Sequence, residues 1–407
     1  MGLIVQKYGG TSVGTPERIK RVAQRIIQRK KAGNHVVATV SAMGDRTDQL
    51  VDLANKVCDN PPQREYDMLL STGEQESVAL LAMAINSLGE EVVSLTGSQA
   101  GITTNDLHTK AQILDIDPER IEAELADDKI VIIAGFQGIT DDGDITTLGR
   151  GGSDTTAVAV ATALEADLCE IYTDVDGVYT ADPRIVEDAA KIKEISYDEM
   201  LELASLGANV LHPRSVEIAK EHKIELMVKS SFCCIPGTYI KEEDKLEEKV
   251  LVSGVTCDNN QVKLSLIGVP DQPGIASNIF TKLAESGINV DMIIQNVDYD
   301  NLNDITFTVE KADFMSAKEI LEDMKDELDY TELKSDDTLS KVSIVGAGMV
   351  TNPGVAARMF TALGASDVNI EMISTSEIKV SCLINAEDSD RAIRAIHQEF
   401  NLSEQDD

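Results

Sequence analysis

The chain has no tryptophan, and eight tyrosines and seven phenylalanines keep aromatics at 4% of its 407 residues. A surface that binds single-stranded nucleic acid needs aromatic faces for the bases and cations for the backbone. Cations are also short, because 36 lysines and arginines stand against 71 aspartates and glutamates, for a net charge of −35. That field repels a polyanion and excludes nucleic acid as a partner. Exposed charges more than about 8 Å away are screened at physiological salt, so a small anionic substrate depends on cations within its own site. No apolar run reaches the length of a membrane span, and the start passes into Leu3-Ile4-Val5 without the pattern of a signal peptide. The expectation is no membrane association and a cytoplasmic location. Cys58, Cys169, Cys233, Cys234, Cys257 and Cys382 form no C-x-x-C pair and have no histidine at zinc spacing. They read as reduced thiols. The five histidines are dispersed, with His212, before Pro213, reading as structural; no metal site made of protein side chains is expected.

Two glycine-bearing loops stand out, Lys7-Tyr8-Gly9-Gly10-Thr11-Ser12 and Arg150-Gly151-Gly152-Ser153-Asp154-Thr155. Each is predicted to lead from a buried strand or its loop into a helix. Glycine lets backbone N–H groups approach a phosphate, and an uncapped helix N-terminus adds roughly half a positive charge. Each loop also carries one cation, Lys7 or Arg150. Two anion sites side by side suit phosphoryl transfer. Neither G-x-x-x-x-G-K-[ST] nor the H-R-D and D-F-G motifs of protein kinases occurs, so the design is that of another kind of kinase.

Up to about residue 240, short apolar runs alternate with amphipathic helical stretches. Strands are predicted at Leu3 to Lys7, Val36 to Ser41, Val92 to Leu95, Ile130 to Ala134, Cys169 to Thr173 and Ile224 to Val228. One helix opens at Thr15-Pro16 and another at the capping box Ser196-Tyr197-Asp198-Glu199. Buried strands separated by helices imply a parallel α/β sheet, whose ligands lie beyond the strands' C-terminal ends. Lys7, Ser41, Thr173 and Lys229 fall there. Pro236-Gly237 and the charged run Lys241 to Lys249 then read as a break and an exposed linker. Beyond it lies an internal repeat with Pro-Gly pairs at 273 and 353 and asparagines at 289 and 369, both 80 residues apart. Each copy reads as strand, Pro-Gly loop, helix, strand, strand and helix, with a last strand less clear, as in a ferredoxin-like sandwich. Gly346-Ala347-Gly348 imitates a dinucleotide fingerprint but lacks its third glycine.

Six motifs in order carry a family resemblance: Lys-Tyr-Gly-Gly-Thr-Ser at 7–12, Val-Ser-Ala-Met-Gly at 40–44, Ser-Thr-Gly-Glu at 71–74, Gly-Arg-Gly-Gly-Ser-Asp-Thr-Thr-Ala at 149–157, Tyr-Thr-Asp-Val-Asp-Gly-Val-Tyr at 172–179 and Ile-Ser-Thr-Ser-Glu-Ile at 373–378. Over essentially its whole length the chain resembles the monofunctional aspartate kinases. The resemblance implies an amino-acid kinase domain at 1–245, one ACT domain at 262–337 and a second at 338–407, with the stretch 250–258 joining the second ACT sheet. It implies transfer of the ATP γ-phosphoryl group, with Mg2+ bound mainly through the nucleotide, to the side-chain carboxylate of L-aspartate. The product would be 4-phospho-L-aspartate, at the head of lysine, threonine and methionine biosynthesis. Lysine, threonine or both would inhibit, and the chain would form homo-oligomers through its ACT domains or assemble with a separate regulatory subunit.

Carried over by position, the resemblance makes Lys7 the bridge between phosphoryl group and attacking carboxylate, with Asp154 orienting it. Tyr8, Gly9 and Gly10 would border the phosphates. Arg150 would fork the substrate α-carboxylate, Glu74 would face its ammonium, and Ser41, Thr47 and Ser153 would supply hydroxyls. Thr173, Asp174, Tyr179, Arg184 and Lys229 match the nucleotide side. Effector positions are Asp271, Gly274, Ile275, Ala276 and Gln295 in the first copy, and Val355, Asn369, Ile370, Thr375 and Ser376 in the second. Plainer readings stand beside these: Glu74 as a helix-start residue, Asp174 and Asp176 as turn formers, Arg184 as a surface arginine, Lys229 as a solvated strand end, and the Pro-Gly pairs as simple helix starts.

Overall fold

A run such as Ile130–Ala134, buried at every position, is satisfied only between two covering layers. In the computed structural model, which describes residues 2–208, 210–246, 250–297, 302–350 and 352–403, that run lies inside an eight-stranded sheet. The chain divides into two units, and the first, formed by Met1–Tyr179, Lys191–Ser205 and Asn209–Glu248, holds this sheet.

Along the first unit come β1 (Leu3–Tyr8), α1 (Pro16–Lys31), β2 (His35–Val40), α2 (Arg46–Val57), α3 (Gln63–Leu70), α4 (Thr72–Ser87), β3 (Val92–Leu95), β4 (Ile102–Thr104), β5 (Ile113–Ile116), α5 (Glu119–Ala126), β6 (Ile130–Ala134), β7 (Gln137–Ile139) and β8 (Ile145–Thr147). Then follow α6 (Gly152–Ala163), β9 (Leu168–Thr173), β10 (Glu194–Ser196), α7 (Tyr197–Ser205), α8 (Pro213–His222), β11 (Leu226–Ser230) and β12 (Thr238–Lys241). The main sheet runs β10-β12-β11-β9-β1-β2-β6-β3, parallel throughout except between β11 and β12. All six strands read from apolar runs are in it. The break expected at Pro236-Gly237 is instead a return within the sheet, since β12 pairs back onto β11.

A second sheet of the unit, β5-β4-β7-β8, had no counterpart in the sequence reading. Its strands of three or four residues are too short to show a period. On the main sheet, α1 and α4 pack through Ile19, Val22, Ile26, Leu81 and Ile85 against Val36, Ala38, Ile130 and Ile132. Side chains alternate along a strand, so Lys7 faces the opposite layer, where α6 packs on β1. The expected helix starts form: Thr15 Oγ1 accepts the Arg18 N–H at 3.3 Å ahead of Pro16, and Ser196 Oγ accepts the Glu199 N–H at 3.2 Å.

The second unit comprises Thr180–Ala190, Leu206–Ala208 and Lys249–Asp407. Its elements are β13 (Gly254–Asp258), β14 (Gln261–Pro270), α9 (Ile275–Glu285), β15 (Val290–Val297), β16 (Leu302–Glu310), α10 (Phe314–Asp323), α11 (Lys325–Leu328), β17 (Glu332–Asp336), β18 (Leu339–Val345), α12 (Val355–Ala365), β19 (Met372–Thr375), β20 (Lys379–Asn385) and α13 (Ser389–Glu399). The first repeat builds the antiparallel sheet β15-β16-β14-β17 and the second builds β13-β18-β20-β19. The last strand of the second sandwich therefore comes from ahead of the first, through β13 pairing antiparallel with β18. Both sandwiches carry their helices as the repeat pattern requires. They meet at equivalent positions: Met292 and Met372 pack together with Leu339 and Leu383, Lys263 pairs with Glu371 at 3.1 Å, and Lys341 pairs with Asp291.

The sequence reading left 180–190 inside the catalytic unit, whereas the structure groups it with the second repeat. Ala181 and Val186 enter the core of that repeat, and the Thr180 carbonyl accepts the Val255 N–H at 2.8 Å. No described helix is long and apolar enough to cross a membrane.

Candidate active site

The order β11-β9-β1-β2-β6 brings five parallel strand ends along one rim. Register fixes which residues meet there: Tyr8 lies opposite both Tyr172 and Val40, Ser230 opposite Thr173, and Val40 opposite Ala134. Above the middle of the rim is a cavity of about 280 Å³ lined by Lys7, Gly10, Ser41, Ala42, Gly44, Thr47, Glu74, Phe136 and residues 149–154. Both glycine loops thus reach one site. The cavity also gathers every residue assigned to catalysis or to the amino-acid substrate, namely Lys7, Asp154, Ser41, Thr47, Glu74, Arg150 and Ser153.

Lys7 Nζ lies 2.6 Å from Asp154 Oδ1, an ion pair between a central strand and the first turn of α6. That helix starts at Gly152 without any side-chain cap; the Gly152 N–H donates to the Gly149 carbonyl at 3.0 Å, which leaves the N–H groups of Ser153 and Asp154 to face an anion. Gly151, its N-cap residue, has φ +71°, and a Cβ there would sit 2.2 Å from the His212 ring. Only glycine fits both demands. The first loop departs from expectation. It enters a 3-10 turn, Gly10–Val13, and α1 begins later at Pro16 with its end already capped by Thr15. Only the second loop presents an uncapped α-helix; the first offers Lys7 and loop backbone, with Gly10 held by a 3.0 Å bond from the Gly44 N–H to its carbonyl.

Glu74 lies in the first turn of α4, yet it is only 3% exposed. Its Oε1 accepts the Ala42 N–H at 3.1 Å, while Oε2 is buried without a hydrogen-bond partner among the described residues. Burial raises its pKa to about 8, against the lowering effect of the backbone N–H groups. Such a carboxyl group gains from a cation brought into the cavity. Arg150 is exposed, and no ion-pair partner for it occurs among the described residues. The cavity therefore offers an unpartnered guanidinium and a half-satisfied carboxyl group, complementary to the two charged ends of an amino acid.

The nucleotide-side residues are placed more variously. Thr173 ends β9 and donates its hydroxyl to Asp174 Oδ1 at 3.1 Å. Lys229 lies on β11, 3.4 Å from Glu170 Oε1. Glu170 is buried and also accepts from Gln6 at 2.7 Å, from the Tyr172 hydroxyl at 3.1 Å and from Arg29. Burial opposes its ionisation, but Arg29, Lys229 and Gln6 outweigh that and hold its pKa below the ordinary value. The Tyr8 side chain is fully buried and stacks on Tyr172 with 4.8 Å between ring centres, leaving its backbone alone at the rim. The Gly9 N–H donates to the Tyr172 carbonyl at 3.3 Å. Tyr179 donates to Asp176 Oδ1 at 2.9 Å, and Lys191 lies 3.4 Å from Asp176 Oδ2, which matches the turn reading of Asp176. Arg184 belongs to the second unit, strongly exposed and paired with Asp182 at 2.6 Å.

In the second unit, Gly274 (φ +100°) and Gly354 (φ +98°) cap α9 and α12, putting Ile275, Ala276 and Val355 in first turns. Asp271 accepts from Asn303 at 2.8 Å, Asn369 donates to Glu371 at 3.0 Å, and the Ser376 N–H donates to the Lys379 carbonyl at 2.9 Å. Gln295 is exposed on the edge strand β15, Thr375 ends β19, and Ile370 packs against the second core.

Sequence reasoning missed Phe136 as a lining residue, along with Ala42 and Gly44. Phe136 follows β6, a strand that was read correctly, and residues just past strand ends are where ligands gather; that rule would have found it. Among the described residues no group of three or more His, Cys, Asp or Glu is arranged to hold a metal ion.

Comparison with known proteins gives the family. The amino acid kinase family model matches residues 2–230, and ACT domain models match 264–329 and 342–400. An aspartokinase from Bacillus sp. strain MGA3 is 52% identical over 403 residues, 99% of this chain and 98% of that protein. The structure of E. coli aspartokinase III in complex with aspartate and ADP in its R-state superposes with a TM-score of 0.81 at 25% identity, covering 98% of this chain and 99% of that one. The T-state of the same enzyme with lysine and aspartate gives a TM-score of 0.76 at 26% identity, covering 99% and 100%. By sequence over its whole length and by fold, the chain belongs to the aspartokinases of the amino acid kinase family, ATP-dependent kinases, and carries two ACT domains.

Proposed function

We propose that the chain transfers the γ-phosphoryl group of ATP to the side-chain carboxylate of L-aspartate, giving 4-phospho-L-aspartate and ADP, the entry to lysine, threonine and methionine biosynthesis. The observation that carries the amino-acid substrate is the pairing, in one cavity, of Glu74 with its unpartnered buried oxygen and Arg150 with its unpartnered guanidinium. The solved relative with aspartate and ADP bound supports the same choice. Arg150 forks the α-carboxylate and Glu74 receives the ammonium, which leaves the side-chain carboxylate directed toward Lys7. Ser41, Thr47 and Ser153 add hydroxyls around it.

An aspartate carboxylate is already ionised near pH 7, so the attack needs no general base. It needs neutralisation of two approaching anions. Lys7 supplies the cation, held in place by Asp154, and the uncapped start of α6 supplies N–H groups for charge that develops on the transferring oxygens. Gly9, Gly10 and the backbone of Tyr8 border the phosphates, while Thr173, Asp174, Tyr179 and Lys229 form the nucleotide side. Asp154 is already engaged by Lys7 and no group of three or more His, Cys, Asp or Glu among the described residues is arranged to hold an ion, so Mg2+ would be held mainly through the nucleotide's phosphate oxygens. When bound it offsets the negative charge of the triphosphate.

The ACT pair receives lysine, threonine or both as inhibitors, near Asp271, Gly274, Ile275, Ala276 and Gln295 in one copy and Val355, Asn369, Ile370, Thr375 and Ser376 in the other. It is also where copies of the chain, or a separate regulatory subunit, would assemble. The substrate assignment is tested with the α-amide of aspartate and with N-acetyl-aspartate. Each lacks one charge-assisted contact and should lose roughly 10- to 150-fold in kcat/KM, and Arg150→Lys should not restore wild-type activity on aspartate. Equal kcat/KM for aspartate and its α-amide would refute the placement of Arg150.

A further inference from the structure

Asp67 lies on α3, fully buried, outside the cavity and outside every motif singled out in the sequence. A buried carboxylate is costly unless its oxygens are satisfied, and here they are satisfied by one segment and one strand end. The Thr109 N–H lies 3.1 Å from Oδ1 and 2.9 Å from Oδ2. The His108 ring Nδ1 lies 2.9 Å from Oδ2, and the Thr147 hydroxyl donates to Oδ1 at 2.6 Å. Thr147 ends β8, three residues before Arg150.

The segment that Asp67 grips is strained. Thr109 has φ +67°, a conformation a β-branched residue adopts only when its surroundings impose it, at a cost of about 1–3 kcal/mol. Its carbonyl faces the Arg150 loop, since a Cβ on Gly149 would sit 3.0 Å from that oxygen. The next residue but one, Ala111, donates its N–H to the Thr147 carbonyl at 2.9 Å. On its other side Asp67 is joined to the active site through its own helix: α3 runs through Ser71 into α4, where Glu74 lies seven residues on. One carboxylate thus ties together the carriers of the two groups that would grip the substrate's α-carbon.

We propose that Asp67 is a positioning residue for amino-acid recognition, which sets the Arg150 loop against α4 by holding Thr109 in its left-handed conformation. The proposal rests on the assignment of Arg150 to the substrate α-carboxylate. Its effect falls on aspartate binding and leaves the ATP side alone.

The test is steady-state kinetics of the full-length protein with aspartate and with its α-amide, for wild type, Asp67→Asn, Thr147→Val and Asp67→Asn/Thr109→Gly. Asp67→Asn should raise KM for aspartate about tenfold or more, with KM for ATP within about twofold and kcat within about threefold. It should leave the already poor kcat/KM for the α-amide within about twofold, because that substrate never uses the fork. Thr109→Gly should recover part of the lost affinity, since glycine holds a positive φ without the carboxylate. A general loss of packing would not produce that rescue. Should Asp67→Asn fail to fold, Thr147→Val removes one of the bonds to Asp67 and should show the same split at smaller size. Parallel rises in both KM values, or a KM for aspartate within twofold of wild type in every folded variant, overturn the proposal. If wild type itself uses the α-amide as well as aspartate, it is the Arg150 assignment that has failed.

Discussion

At the scale of single residues, the candidate site leaves charged groups unsatisfied that the two ends of an amino acid would complement. Lys7 and Asp154 are paired, but Glu74 has one bare buried oxygen and Arg150 has no described partner. Lys7→Ala should lower kcat by roughly 10³-fold or more with the fold intact, because it removes the cation between two anions; a variant retaining more than about a tenth of wild-type kcat contradicts the role. Glu74 gives a second prediction with a definite sign. Its folded pKa of about 8 lies above the ordinary value of 4.5, so between those values the native state keeps a proton that the unfolded state releases. Its contribution to stability therefore declines as pH rises from about 4.5 to 8 and is flat above. Glu74→Gln should remove that slope and melt several degrees higher than wild type at pH 8.5, while raising KM for aspartate roughly 10- to 150-fold. Thermal melts from pH 4.5 to 8.5 check the first part, and a wild type at least as stable as the variant at pH 8.5 rejects it.

At the scale of elements, the lesson is which signals are local. The six apolar strands and the capped starts of α1 and α7 were legible because burial period and capping chemistry reside in consecutive residues. The return at Pro236-Gly237, the small sheet β5-β4-β7-β8 and the capture of 180–190 by the second unit were not, since they depend on partners distant in sequence. The site shows the same division. Residues on recognisable loops converged on the cavity, whereas Asp67, whose partners are 41, 42 and 80 residues away, left no local trace. The uncapped start of α6 is the element on which most depends, and it exists only because Gly151 fits beneath His212. Gly151→Ala should reduce kcat at least about tenfold, through both the positive φ and the clash, whereas Gly354→Ala carries the same kind of backbone strain at φ +98° but meets no atom within 4 Å and lies outside the cavity, so it should reduce kcat less than about twofold. Equal kcat for the two variants would show that the α6 start does not organise catalysis.

At the scale of the whole molecule, a kinase and a tandem pair of effector-type sandwiches share one chain, and an inhibitor acts only by binding one arrangement of them more tightly than another. Lysine, threonine or both should inhibit, most strongly together because the two copies are not identical. Replacing Ala276 by a bulky residue, or Gln295 by Ala, should weaken inhibition while sparing most of the effector-free activity; inhibition curves at saturating ATP decide this, and an unchanged midpoint in both variants rejects the assigned positions. All of it presupposes the reaction. The most direct measurement is ADP release with Mg-ATP and L-aspartate, coupled to hydroxylamine trapping of the acyl phosphate. The account predicts stoichiometric hydroxamate from aspartate and at most a few per cent of that rate from glutamate, N-acetyl-aspartate or the α-amide. ADP release without trapped hydroxamate, or equal rates with glutamate, would contradict it.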